Sequence, residues 1–311
     1  MPADQPDTLA MGDKTGIEWS DATWNPLRGC TRVSEGCRHC YAETVAARFS
    51  DPGQPYHGIA DRSRSGSKWT GKVSLIESSL DLPLRWKKPR RIFVNSMSDL
   101  FHESVPDEWI DKVFAVMALA PQHTFQILTK RPERMRDYLI SRDGMGNAEL
   151  CRAINAIPRQ LGNRHGALEM PLPNCWLGVS VEDQETANER LPILIGTPAA
   201  VRFISAEPLL SSIDFAAIEA PEGYEFNGLT GIHVRSDRAG NVASDKLIDL
   251  VIVGGESGPG ARPCWAPNIR SIVRQCQKAG VPVFVKQLGA HVQDRNDAGF
   301  DGCKPTAWPD V

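Results

Sequence analysis

Short runs rich in β-branched and aromatic residues alternate with amphipathic stretches of helical spacing along most of this chain. That alternation restricts the fold more than any other feature. Tyr41 to Phe49 reads as a helix, Arg91 to Ser96 as a strand and Asp107 to Leu119 as a helix. Thr124 to Thr129 follows as a strand, and Pro132 to Ile140 as a helix with proline in its first turn. The pattern recurs with a strand at Cys175 to Val181, a helix at Gln184 to Leu194, and strands at Val201 to Ser205 and Leu250 to Val253. A helix around Asn268 to Lys278 and a strand at Val281 to Val285 complete it. With a first strand just before Cys30 there are about seven β/α steps, which argues for a parallel sheet flanked by helices. Three segments break the rhythm. Asp51 to Gly71, rich in Gly, Ser and Arg, reads as a loop; Asp143 to Pro173 carries a short helix around Ala148 to Leu161; and Ala216 to Asp245 holds Asn-Gly and Ala-Gly-Asn turn signals that suggest a hairpin insertion.

The 311 residues suffice for one α/β barrel or for two smaller domains, and 41% apolar with 23% charged residues is the balance of a globular chain. No apolar run reaches the roughly 20 residues that a membrane-spanning helix needs. Met1 to Asp13 is polar and acidic, unlike a signal peptide with its basic start and apolar centre. The expectation is therefore a loose tail over residues 1–13 and a single domain over 14–311, in a cytoplasmic protein without membrane partners. Of the eight cysteines, three fall within eleven residues and five are scattered. In a reducing compartment such a group is more often a metal or catalytic site than a disulfide framework.

Apolar strands give way to polar residues where they end: Asn95 and Ser96 with Asp99, Thr129-Lys130-Arg131, Ser180 with Glu182, Ser205 with Glu207, Gly254-Gly255-Glu256, and Lys286-Gln287. In a parallel α/β barrel all these ends open on one face, where active sites lie. Strand ends are also polar simply because the chain surfaces there, which explains a single residue more readily than the whole set.

The cysteines occur as Gly29-Cys30, Gly36-Cys37 and Cys40, a C-x6-C-x2-C spacing. Glycine directly before a cysteine lets backbone wrap closely around a bulky ligand. A structural zinc site needs four protein ligands, yet no fourth cysteine lies nearby, and His39 is poorly placed between two of the thiols. Three thiolates suit a [4Fe–4S] cluster with one iron left open. Zinc completed by a distant cysteine such as Cys264 or Cys303, and thiols without metal, are the alternatives.

With this loop in view the chain resembles radical S-adenosylmethionine enzymes, whose usual loop is C-x3-C-x2-C after the first strand of a partial (β/α)6 barrel. The longer first spacing matches a branch of three-Cys-motif proteins found in phage and bacteria. The resemblance covers nearly the whole chain. It is carried by Trp24-Asn-Pro with the cysteine loop, Asn95-Ser-Met-Ser-Asp-Leu-Phe-His102, Leu128-Thr-Lys-Arg-Pro132, Gly178-Val-Ser-Val-Glu182, Ser205-Ala-Glu-Pro-Leu209, Val253-Gly-Gly-Glu-Ser-Gly258 and Lys286-Gln-Leu-Gly289. It implies a partial (β/α)6–7 TIM-like barrel with loop and hairpin insertions. It also implies a [4Fe–4S] cluster on Cys30, Cys37 and Cys40, with S-adenosylmethionine chelated at the open iron and electrons from a flavodoxin or ferredoxin.

On the same resemblance His39 stands where an aromatic residue packs near the adenine, and Lys130 pairs with the methionine carboxylate. Asn95 and Ser96 accept from the amine, and Glu182 meets the amine or a ribose hydroxyl. Gly254 and Gly255 let the adenine edge meet the backbone, and Ser180, Glu207 and Glu256 complete the cofactor rim. A salt bridge of Lys130 with Glu182 or Glu207 would look the same in sequence.

The net charge of −3 carries no global nucleic-acid signature, but the stretch from Gly53 to Arg91 is net +6. Its Arg62, Arg64, Lys68, Lys87, Lys88, Arg90 and Arg91, interleaved with Trp69 and Trp86, have the charge and stacking surface that DNA or RNA requires. A solvated basic loop has the same composition. Modification or repair of nucleic acid, by distant analogy to spore photoproduct lyase, is one reading. A radical enzyme acting on a peptide or small molecule, and a nucleic-acid-binding protein with a structural metal, are the others.

Overall fold

A computed structural model describes residues 11–293 apart from 13–14, 16, 64–65, 144–146, 163–167, 221–222, 224, 232 and 236–246. Eight strands form one sheet whose spatial order is their order in the chain: β1 (Met11–Gly12), β2 (Ala22–Trp24), β3 (Arg91–Val94), β4 (Thr124–Thr129), β5 (Cys175–Ser180), β6 (Val201–Ala206), β7 (Leu250–Gly254) and β8 (Val283–Gln287). β2, β3 and β4 pair in parallel, with Trp24 beside Val94 and Val94 beside Ile127. β6, β7 and β8 likewise pair in parallel, with Ala206 beside Val253 and Val253 beside Val285. The protein is thus mixed α/β, as the alternation predicts. Met11 and Gly12, placed by composition in the tail, pair antiparallel with β2.

Parallel neighbours need long crossovers, and helices fill them. α1 (Tyr41–Arg48) lies between β2 and β3 in the chain, and α2 (Asp107–Ala118) between β3 and β4. α3 (Pro132–Ser141) and α4 (Ala148–Ala156) precede β5, α5 (Gln184–Ile195) precedes β6, and α6 (Ala266–Ala279) precedes β8. Each starts near its expected residue. α4 stops short of Leu161 because Ile157 precedes a proline, whose ring disfavours helical backbone there; Ile157 is extended, with ψ 134°. β3 ends at Val94 because Asn95 turns the chain with φ +62°. β8 starts two residues late because Pro282 has no N–H for the ladder.

The described chain divides into two compact units. The first holds Met1–Val33, Cys40–Trp176 and Pro198–Ala200, and its core sets Trp24 at a tilt against Phe125 and Trp19 edge-on to Phe93. A smaller cluster packs Ala42, Ala46 and Ala47 of α1 against Tyr56, Ala60 and Met97. Here the expected loop at 51–71 contains a hairpin, Ala60–Ser63 against Gly66–Trp69. Its short apolar complement, Ala60 and Trp69, hid it in the sequence, while the small alanine face of α1 gives it a surface to pack on. The second unit holds Ser34–His39, Leu177–Thr197 and Val201–Val311. Its strand β7 is buried throughout, as a parallel strand covered on both faces must be. The expected hairpin insertion is a three-stranded antiparallel meander of Ile218–Glu219, Glu225–Phe226 and His233–Arg235. Its Ala-Gly-Asn turn at 239–241 lies outside the described residues.

Candidate functional site

Because β2, β3 and β4 run parallel, their C-terminal ends share one edge of the first unit, and the cysteine loop leaves from the first of them. Gly29 has φ +93°, and a Cβ there would collide with the carbonyl oxygen of Lys72, so only glycine fits before Cys30. Cys30 is half-buried, with its sulfur 3.9 Å from a guanidinium nitrogen of Arg131, two residues past the end of β4. That guanidinium is buried and donates to Asp99 (3.0 Å), to Glu103 (2.8 Å) and to the Thr31 hydroxyl (2.6 Å). Burial alone would make Arg131 easier to deprotonate, but Asp99, Cys30 and Glu103 outweigh it and hold the cation more firmly than usual. Glu103 also lies low, at about 2: hydrogen bonds from its own backbone and from Arg131, with the Arg131 charge, overcome its desolvation. Cys40 stands at the N-cap of α1, where the helix's partial positive charge favours an anionic sulfur.

Asn95 and Ser96 leave β3 on the same edge. The Tyr41 hydroxyl donates to the Ser96 carbonyl (2.8 Å), and Asn25 accepts from the Ser96 hydroxyl (3.1 Å) and the Met97 N–H (3.3 Å). This ties the start of α1, directly after Cys40, to the ends of β2 and β3. Asn95 is only 4% exposed, yet neither its amide oxygen nor its amide nitrogen has a hydrogen-bond partner. It is also the only non-glycine among the described residues with positive φ. An unmet buried polar group costs about 1–3 kcal/mol, and left-handed backbone costs about 1–2 kcal/mol more. Such expense concentrates where a ligand supplies the missing partners. Lys130 is half-buried, and its backbone N–H donates to Asp99 (3.3 Å).

In the second unit, the ends of β6, β7 and β8 share an edge in the same way, and the acids there are bonded to protein groups. Glu182 is 1% exposed; it accepts from Arg190 (3.1 Å) and from the Ser34 hydroxyl (3.1 Å). Removing one partner of so buried a pair costs about 3–5 kcal/mol. A Cβ on Gly36 would strike the Glu182 side chain, which explains the glycine before Cys37. Glu256 accepts from His39 Nδ1 (2.9 Å) and from Arg262 Nη2 (2.7 Å), while Arg262 Nη1 donates to the Glu35 carbonyl (2.9 Å). Burial alone would raise the Glu256 carboxyl, but the Arg262 side chain and backbone, then His39, hold it down at about 2.

Glu182, Glu256 and Arg262 therefore fasten residues 34–39, the segment that carries Cys37. Glu207 accepts from Ser205 (3.1 Å) and lies 3.3 Å from Lys286 Nζ, an ion-pair distance without hydrogen-bond geometry. The Ser180 carbonyl accepts from Arg190 (2.8 Å). The space beside Gly254 and Gly255 is filled by Glu207, the Leu288 carbonyl and Cys264. These glycines allow close internal packing.

The basic stretch divides into packed and exposed residues. Trp69 packs into the alanine cluster of α1, and Trp86 lies edge-on to His123 with Arg90 above its ring. Arg91 pairs with Asp21 (3.3 Å) at the N-terminal end of β3, about 13 Å along the strand from Asn95 at ~3.3 Å per residue. Arg62, Lys68, Lys87 and Lys88 are exposed, and Arg64 lies outside the described residues. Arg131, Asp99 and Arg262 carry much of the site's charge but were missed as site residues. Only the proximity of Arg131 and Asp99 to strand ends gave a signal, and Arg262 gave none.

Of the other described cysteines, Cys151 is half-buried like those of the loop, whereas Cys175, Cys264 and Cys276 are buried. Burial pushes the Cys264 thiol up to about 11 and the Cys276 thiol to about 12, and raises Cys175 further. Cys303 lies outside the described residues. Among the described residues no three His, Cys, Asp or Glu side chains already converge as a metal-ligand set. Cys30, Cys37 and Cys40 form no disulfide and are half-buried, with glycine-shaped backbone, a cation near the first sulfur and a helix N-terminus at the last. That donor set fits a thiolate-bound cluster.

The fold and this loop define an α/β protein with a three-thiol segment after its first parallel strand. The chain belongs to the family described as "Protein of unknown function (DUF5131)", whose model matches residues 14–303. Searches of curated proteins and of solved structures gave no match.

Proposed function

We propose that this is a radical S-adenosylmethionine enzyme whose Cys30, Cys37 and Cys40 hold a [4Fe–4S] cluster. The observation that carries the reading is the contrast between three accessible thiols within eleven residues and the buried, hard-to-ionise Cys175, Cys264 and Cys276. It disfavours zinc completed by Cys264, because a ligand must be deprotonated. When bound, the cluster supplies one electron to the sulfonium of S-adenosylmethionine. The unmet amide of Asn95 offers an acceptor to the cofactor's amine and a donor to its carboxylate, and Lys130 adds a cation on the same edge. His39, fixed by Glu256 through Nδ1, keeps its other face for the adenine. A flavodoxin or ferredoxin is the electron donor in this reading. Nucleic acid as substrate rests only on the exposed cations Arg62, Lys68, Lys87 and Lys88.

Protein purified without oxygen should contain about four irons, the content of one such cluster, and bleach with dithionite. It should form 5′-deoxyadenosine from S-adenosylmethionine, and Cys37→Ala should lose the iron. One stoichiometric zinc and no iron, in protein made with ample iron and no oxygen, overturns the proposal.

A further inference from the structure

The three thiols have different surroundings. Cys37 has the Ser34 hydroxyl 3.9 Å from its sulfur, and Cys40 sits at a helix end. Cys30 has a buried guanidinium at 3.9 Å, held from several sides by Asp99, Glu103 and Thr31. Asp99 is itself fixed by the Thr129 hydroxyl (2.8 Å) and the Phe101 N–H (3.0 Å), so the cation cannot swing away without breaking a buried network. A fixed charge beside a sulfur ligand acts on electron transfer, because reduction places one more negative charge on the group the sulfur holds. Hydrogen bonds and charge near the ligating sulfurs are general determinants of cluster potential.

Resting on the functional reading above, we infer that Arg131 is a positioning residue that raises the reduction potential of the group bound through Cys30, and that Glu103 moderates its charge. The reaction concerned is the one-electron step from the 2+ to the 1+ state, with dithionite as the electron source and no proton or bond change. Arg131 stabilises the product because its charge opposes the added electron. Glu103, with its side chain 63% exposed, offsets part of that charge from the solvent side. The two residues should therefore act with opposite sign, an effect that a purely structural role does not produce.

The test is an EPR-monitored redox titration of anaerobically reconstituted protein, with iron content and a melting curve for each variant. Arg131→Gln should lower the potential by about 59 mV, a tenfold change in the one-electron equilibrium. Arg131→Lys, which keeps the charge, should recover most of that shift, and Glu103→Gln should move it upward. Glu103 is exposed enough for its variant to fold even if Arg131→Gln does not, so the sign for Glu103 decides the matter alone. Full iron with an unchanged or lowered potential in Glu103→Gln overturns this inference and leaves the functional reading standing. Absence of iron from the wild type overturns both.

Discussion

Asn95 combines two costs that seldom occur together, a left-handed backbone and a buried amide with neither end satisfied. Asn95→Gly removes both, since glycine adopts positive φ freely and carries no polar side chain. The variant should melt higher, by about 1 kcal/mol or more of added stability, and under the proposed function it should bind S-adenosylmethionine less well. Thermal melts with and without the cofactor read both effects. A lower melting point would show that the amide has structural work inside the fold. The sequence pointed to Asn95 because it follows a strand, but nothing in its identity revealed the strain. For Glu182 and Glu256 the sequence indicated a position after a strand but not the protein partners that meet them there. A carboxylate after a strand looks the same whether it meets a ligand or a loop residue 148 positions away.

At the scale of elements, residues 34–39 are held by side chains from separate strand ends, and the bonds to Glu256 should set its acid stability. The Glu256 carboxyl lies at about 2 against an ordinary 4.5, so the folded state binds fewer protons than the unfolded one between those values. Its contribution is complete above about pH 4.5 and is lost as pH falls toward 2. Glu103 adds to the loss in the same window. His102 and His123, both pushed below their ordinary value mainly by burial, start an earlier loss as pH falls below about 6.5. Arg262→Gln removes the main support of Glu256; it should cost about 3 kcal/mol at neutral pH and shift the Glu256 part of the acid loss to higher pH. Urea unfolding across pH 2–7 checks this, and identical pH profiles for variant and wild type would refute it. Helices and strands were legible because their periodicity is local. The hairpin at 60–69 was not, because its stability comes from α1 rather than from its own pattern.

For the molecule as a whole, the division of the basic stretch bears on substrate. The cations at 85–91 precede β3, whereas Asn95, Ser96 and Arg131 follow β3 and β4, at the opposite end of those parallel strands. If nucleic acid binds through the exposed cations, Arg62, Lys68, Lys87 and Lys88 replaced together by Ala should flatten the dependence of log affinity on log salt by about 0.7–0.9 per lost phosphate contact. Trp86→Ala should lower the melting point rather than affinity, because its ring packs beside His123 and Arg90. Binding by DNA or RNA at several salt concentrations, paired with melts, separates these outcomes. An unaltered salt slope in the fourfold variant would leave a peptide or small molecule as the substrate.

The sequence by itself determined the succession of strands and helices, the parallel α/β class, the three-thiol loop and the polar residues that end each strand. These follow from spacing along the chain, which each segment carries within itself. Tertiary structure decided which groups each charge meets. Glu182, Glu256 and Arg262 became the fastening of residues 34–39, Arg131 came to lie against Cys30, and the basic stretch separated into packed and exposed parts. Those outcomes depend on pairs distant in sequence, such as His39 with Glu256, and a charge's role is set by the group that folding places within about 3 Å of it.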